Sequence, residues 1–169
     1  MEKLREGKIY SGTVEGYSSE GLGIVRIFGA VVFVPHAIRG EEIDVKITKV
    51  MKTAAAGEIV KIRKESPERT KPECPYFGRC GGCDFHHMDY AEETRLKAQR
   101  VCQCLNRIGG ENLENVPILA APATTCYRNK AQYPVSSKKG RAFAGFFKAG
   151  THQVVENDRC LILPEEMDE

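Results

Sequence analysis

At 169 residues the chain has room for one large domain or two small ones. Its composition, 41% hydrophobic and 28% charged with a net charge of +2, is that of an ordinary globular protein, and no apolar run approaches the roughly 18 residues of a membrane span. The opening Met1 to Lys8 lacks an apolar signal-peptide core, and seven cysteines are an odd number, so the expectation is a cytoplasmic protein with reduced thiols rather than a disulfide framework.

Residues 1–63 read as all-β. Runs rich in Val and Ile recur between glycines: Ile9 to Tyr17, Gly23 to Ile27, Ala30 to Pro35, Ile43 to Val50 and Glu58 to Arg63. Five short strands at this spacing predict a small closed barrel of the OB type. Such barrels bind single-stranded nucleic acid through basic and aromatic groups, which makes Lys8, Tyr10, Tyr17, Arg26 and Phe33 candidate contacts, although aromatic residues in strands are more often core. Residues 64–73, with Pro67 and Pro72 among charged neighbours, read as a linker, and residues 74–169 as a second part.

The second part opens on Cys74-Pro-Tyr-Phe-Gly-Arg-Cys80-Gly-Gly-Cys83, a C-x5-C-x2-C run, with Cys160 far downstream. Thiolates this close in a glycine-bearing loop can converge on one metal centre, and Gly81 and Gly82 suggest positive φ in the bend. Two readings of the metal stay open. Iron–sulfur ligand sets include one cysteine remote in sequence, as Cys160 is. A zinc site of three cysteines and a histidine would draw on His86 or His87.

A helix follows, capped by Asp89 with Glu92 as its capping-box partner and ended by Gly109-Gly110. Tyr90, Thr94, Lys97, Val101, Leu105 and Ile108 recur at three- and four-residue steps, while Cys102 and Cys104, two apart, point to different faces. The remainder predicts an antiparallel β-meander with strands at Ile118 to Ala121, Tyr127 to Val135, Arg141 to Lys148 and Gln153 to Glu156, its hairpin formed by Ser136 to Gly140. In the second strand Arg128, Lys130 and Gln132 share one face. From Cys126 to Ala149 there is no acid, and Arg128, Lys130, Lys138, Lys139, Arg141 and Lys148 give +6; from Val155 to Glu169 six acids face Arg159 alone. Charge segregated in this way suits a polyanion, with Arg128, Lys130, Gln132 and Lys148 as its contacts.

These motifs resemble the bacterial RNA (uracil-5-)-methyltransferases, most closely the 23S ribosomal RNA branch. Gly21-Leu-Gly-Ile24, Val32-Phe-Val-Pro35 and Gly40-Glu41 are similar to the TRAM domain, an OB-like RNA-binding module. Pro72 to Gly78 and Cys80-Gly-Gly-Cys83 resemble the family's cluster motif, and Tyr127-Arg-Asn-Lys130 and Gly145 to Gly150 its central β-domain. The resemblance implies a [4Fe–4S] cluster on Cys74, Cys80, Cys83 and Cys160. With every iron capped by thiolate, such a cluster serves structure or RNA docking sooner than redox chemistry. It also implies methylation of uracil C5 with S-adenosylmethionine, carried by a C-terminal Rossmann-like domain for which no residues follow Glu169. The chain is therefore expected to be a mainly β protein with some α, a TRAM barrel followed by a cluster loop, one helix and a meander. It is expected to act as a monomer on 23S rRNA, away from membranes, to bind no S-adenosylmethionine itself and to be inactive alone. The alternative is a free-standing RNA-binding iron–sulfur or zinc module without catalysis.

Overall fold

The computed structural model describes residues 3–167. These divide into two compact units: residues up to Thr70 together with His87–Pro117, and Lys71–His86 together with residues from Ile118 onward.

The first unit is a closed five-stranded barrel, β1 (Ile9–Tyr17), β2 (Gly23–Ile27), β3 (Ala30–Val34), β4 (Glu42–Val50) and β5 (Ala54–Lys64), in the order β1-β2-β3-β5-β4. The two-residue period of a strand puts Val25 and Ile27 of β2 inside with Arg26 outside, and Ile43, Val45 and Ile47 of β4 inside. With Val14, Val32, Val34 and Ala55 they form a core closed to solvent. Closure comes from β5, which starts at Ala54 rather than Glu58 and pairs its first three residues parallel to Val31–Phe33. Alanine is a weak strand former, and pairing along β3 overrides its preference.

One carboxylate on the outer face of β4 is largely covered by its partners. Asp44 accepts from Arg63 Nε at 2.7 Å and from Ser11 Oγ at 2.7 Å. These bonds hold its carboxyl below the usual range. A folded value below the unfolded one means stabilisation that is present above about pH 4 and lost as pH falls through the folded value. Asp44→Asn is therefore expected to flatten the acid side of a melting-temperature profile; an unchanged acid limb would show that the bonds carry no linkage.

The helix α1 (Tyr90–Gly109) starts where expected: Asp89 accepts from the Glu92 backbone N–H at 2.7 Å, and Gly110 caps the other end in the left-handed conformation. Sequence reasoning puts it with the cysteine loop, but it belongs to the barrel unit. The Glu92 side chain does not turn back to complete a capping box. It is buried, accepts from Tyr17 Oη at 2.7 Å and pairs with Arg95, while Tyr17 Oη accepts from the Arg39 N–H at 3.1 Å. Of the residues that recur along the helix, Val101, Leu105 and Ile108 are exposed, and the helix buries Glu92, Leu96 and Cys102. Cys104 is exposed, so the two cysteines do face apart.

Residues 64–73 are not a loose linker throughout. Ser66 is buried, and Arg69 reaches the fully buried Glu41, its Nη2 at 2.8 Å from Oε2 and its Nε on Oε1. The same Nη2 donates to the His36 carbonyl at 2.8 Å. Arg69 also bridges Met88 as an antiparallel pair, flanked by Thr70 N–H to His87 C=O at 3.0 Å and Asp89 N–H to Glu68 C=O at 2.8 Å.

The second unit holds an antiparallel sheet of three strands, β6 (Val135–Lys138), β7 (Arg141–Phe147) and β8 (Val154–Glu156). The residues read as a hairpin connection, Ser136 to Lys138, are strand. The turn is only Lys139-Gly140, both at positive φ as a two-residue hairpin of this twist requires. The expected strands at Ile118 to Ala121 and Tyr127 to Val135 are not formed. Pro117 and Pro122 flank the first and Pro134 interrupts the second, and proline donates no ladder bond. Residues 126 and 128 instead donate to the carbonyls of Leu161 and Ile162, at 3.0 and 2.9 Å, as an irregular extended pair.

Candidate metal and nucleic-acid site

Each step of the second unit brings the four cysteines closer together. The loop of Cys74, Cys80 and Cys83 begins with a tight turn in which the Cys80 N–H donates to the Tyr76 carbonyl at 2.8 Å. Gly81 then donates to the Phe147 carbonyl at 2.9 Å, fixing the loop against the end of β7. Neither Gly81 nor Gly82 has positive φ, so the conformational reason expected for them does not apply. Gly81 is required by proximity: a Cβ there would lie 2.7 Å from the Ala149 nitrogen and 2.9 Å from the Phe147 oxygen. Gly145 faces the same constraint in β7, where a Cβ would lie 1.8 Å from the Val155 oxygen. Gly81→Ala is expected to break the Gly81–Phe147 hydrogen bond and lower the iron or zinc content of the purified chain; full metal occupancy would show that the loop tolerates the shift.

At the other end Tyr76 Oη donates to Asp158, whose own N–H bonds back to Tyr76 Oη at 3.3 Å. The carboxylate raises the phenol above its usual range, and the phenol lowers the carboxyl. This clamp places Cys160 beside the loop. Cys74, Cys80, Cys83 and Cys160 all line one recess, together with Phe77, His86, Arg128 and Phe146. Burial pushes the Cys83 thiol up to about 11, and Cys160, Cys80 and Cys74 act on it in the same direction, opposed by Arg128. The Gly82 N–H points at Cys80 Sγ from 3.4 Å.

Among the described residues no three His, Cys, Asp or Glu side chains converge at single-ion distance. His86 lines the recess, stacked with Phe77 at 6.0 Å. His87 is buried in the barrel unit, edge-on to His36 at 5.3 Å.

Adjoining the recess is an open cleft of about 500 Å³ lined by Arg128, Asn129, Lys130, Gln132, Phe146 and Cys160 among others. No Asp or Glu lines it. Arg128, Phe146, Cys160 and Ile162 belong to both hollows. The structure thus gathers Arg128, Lys130 and Gln132 as expected, though on an irregular segment rather than a strand face. Lys148 is exposed just past β7 and does not line the cleft. Lys8 and Arg26 belong to the barrel unit, where Arg26 pairs with Glu15 at 3.1 Å on the surface. Sequence reasoning did not single out the Tyr76–Asp158 clamp or Phe146, which stacks obliquely with Tyr133 at 4.7 Å and lines both hollows. The position of Asp158 two residues before Cys160 was the only signal for the clamp.

Comparison with known proteins agrees with the barrel first. The family model for the TRAM domain matches residues 3–60, which take in the barrel as far as Val60 in β5. Over most of its length the chain is also related to proteins named as RNA methyltransferases. It is 37% identical over 155 residues to an uncharacterized RNA methyltransferase of Bacillus cereus, covering 91% of this chain and 34% of that protein. With one from Synechocystis sp. it shares 36% over 166 residues, covering 97% and 36% respectively. The chain spans about a third of the length of the curated relatives it matches. Its fold is shared with the crystal structure of Pyrococcus abyssi tRNA (uracil-54, C5)-methyltransferase in complex with S-adenosyl-L-homocysteine, at a TM-score of 0.62 and 22% identity over 94% of this chain and 34% of that one. Among the described residues no helix is long and apolar enough to cross a membrane.

Proposed function

We propose that this chain is the RNA-recognition and cluster-bearing portion of an RNA uracil-C5 methyltransferase. The observation that carries the reading is the acid-free cleft of Arg128, Lys130 and Gln132 sharing a wall with the recess of four cysteines. Cys74, Cys80, Cys83 and Cys160 would hold a [4Fe–4S] cluster, which supplies a rigid cross-link beneath the cleft. Arg128 then has two tasks, since it offsets thiolate charge on one side and presents donors to phosphate on the other. Arg128 and Lys130 neutralise phosphate, and Gln132 offers its amide to a base or ribose edge. Methyl transfer from S-adenosylmethionine would be carried out by chain beyond the third of the relatives represented here. The partner proposed is 23S ribosomal RNA in the cytoplasm, met by a monomer.

The test is RNA binding by the anaerobically prepared chain. A labelled 23S-derived stem-loop is expected to bind more tightly than tRNA, with affinity falling as salt rises. Changing both Arg128 and Lys130 to Ala should weaken binding about tenfold, on the order of 1.4 kcal/mol. Unchanged affinity and salt dependence in that double variant would remove the cleft from the reading. Equal affinity for tRNA would remove the ribosomal target.

A further inference from the structure

A third hollow lies wholly within the barrel unit. It is a groove of about 340 Å³ between α1 and the turn that follows β1. Its size is in the range of sites that hold a small organic ligand, about 300–1,000 Å³. One wall is a helix face: Gln99, Arg100, Gln103 and Arg107 sit at steps that keep them on the same side. The other wall is Ser18 and Ser19, and the floor is Tyr17 and Leu96. Tyr17 is held there by Glu92 and the Arg39 N–H, so the floor does not depend on a ligand for its position.

The charged groups of this groove are of one sign. No Asp or Glu lines it, and neither Arg100 nor Arg107 has a carboxylate partner among the described residues. Each neighbouring cation on the helix is by contrast neutralised, Arg95 by Glu92 and Lys97 by Glu93. Arg107, in the last turn, also complements the helix dipole, but Arg100 stands mid-helix beyond the reach of that effect. Two unpaired guanidiniums and two carboxamides above a half-buried aromatic ring match a phosphodiester strand with a base or ribose over the ring. Arg100 and Arg107 lie about 10 Å apart along the axis at 1.5 Å per residue, the rise of roughly three stacked nucleotides at 3.4 Å each. The turn after the first strand is also one of the loops through which OB-type barrels meet nucleic acid.

We infer that this groove is a second RNA-binding site, in which Arg100 and Arg107 each neutralise one phosphate of a single-stranded segment running along α1. The inference rests on the RNA-binding reading above and locates a contact for it on the barrel unit.

The test uses the full chain and fluorescein-labelled oligouridylate over a range of salt. Changing Arg100 and Arg107 together to Glu should weaken binding at least about tenfold, and the slope of log affinity against log salt should fall by about 1.4, two contacts at about 0.7 each. Changing both to Lys should restore most of the affinity. A readout that needs no variant is the alkylation of Cys104, an exposed thiol lining the groove, which oligouridylate is expected to slow. If the Glu variant binds like the unaltered chain and Cys104 is not protected, while Arg128→Ala with Lys130→Ala weakens binding, the groove inference falls and the RNA reading stands. If the unaltered chain binds no RNA, both fall.

Discussion

A chain carrying Cys160→Ser is expected to emerge from anaerobic purification pale, with most of its iron lost and its second unit opened. The second unit has little else to hold it: among the described residues only Ile162 and Leu163 of the buried apolar side chains belong to it, whereas the barrel and its helix own the rest. A unit so poor in core needs a staple. In the proposed cluster Cys160 would make the staple long-range, because the other three cysteines lie within ten residues of sequence. Closing the chain from Cys83 to Cys160 restricts the unfolded state by about 4–5 kcal/mol if the cluster is treated as a disulfide of that loop length. Cys83→Ser should lose iron as completely, since Cys83 lines the same recess as the other three cysteines. Iron and sulfide analysis, visible absorbance and proteolysis of residues 118–167 read the outcome. Zinc in the unaltered chain, or full iron in the Cys160 variant, would overturn the assignment.

Arg69→Met is expected to destabilise the barrel unit by about 3–5 kcal/mol, the range found when one partner of a buried ion pair is removed. Glu41 is wholly enclosed, and besides Arg69 it is met by the Ile38 N–H at 2.9 Å and the Ser66 N–H at 3.4 Å. Without the guanidinium its charge stays buried with two backbone donors, and the His36 carbonyl loses a bond as well. The double change Glu41→Gln with Arg69→Met should recover a large part of the loss, because no uncompensated charge remains. Urea unfolding followed by circular dichroism gives the comparison. A single variant within about 1 kcal/mol of the original would show that the pair is energetically idle.

The barrel was legible in the sequence because its signal is local: alternating Val and Ile between glycines dictates short strands with one apolar face. The helix ends were legible for the same reason, since Asp89 and Gly110 act on backbone groups one turn away. The orientation of α1 was not. Its strongest apolar row, Val101, Leu105 and Ile108, is exposed, and the helix meets the barrel through Glu92 and Tyr17, whose partnership across 75 residues no periodicity encodes. The four cysteines could be named from spacing and resemblance. The clamp of Tyr76 on Asp158 and the glycine forced by the Phe147 carbonyl depend on segments far apart in sequence. The basic residues of the cleft were found through their charge, but their predicted strand failed where prolines deny it a ladder.

The backbone pairing of Arg69 with Met88 has a consequence for the architecture. It brings the two ends of Lys71–His86 side by side, so the cysteine loop is an excursion on a closed stem that leaves the barrel unit and returns to where it began. The excursion is separable by surgery: joining Thr70 to His87 through a short turn should leave a barrel and helix that fold by themselves. Cutting the chain after Thr70 would instead remove Glu92, the partner of Tyr17, from the barrel unit.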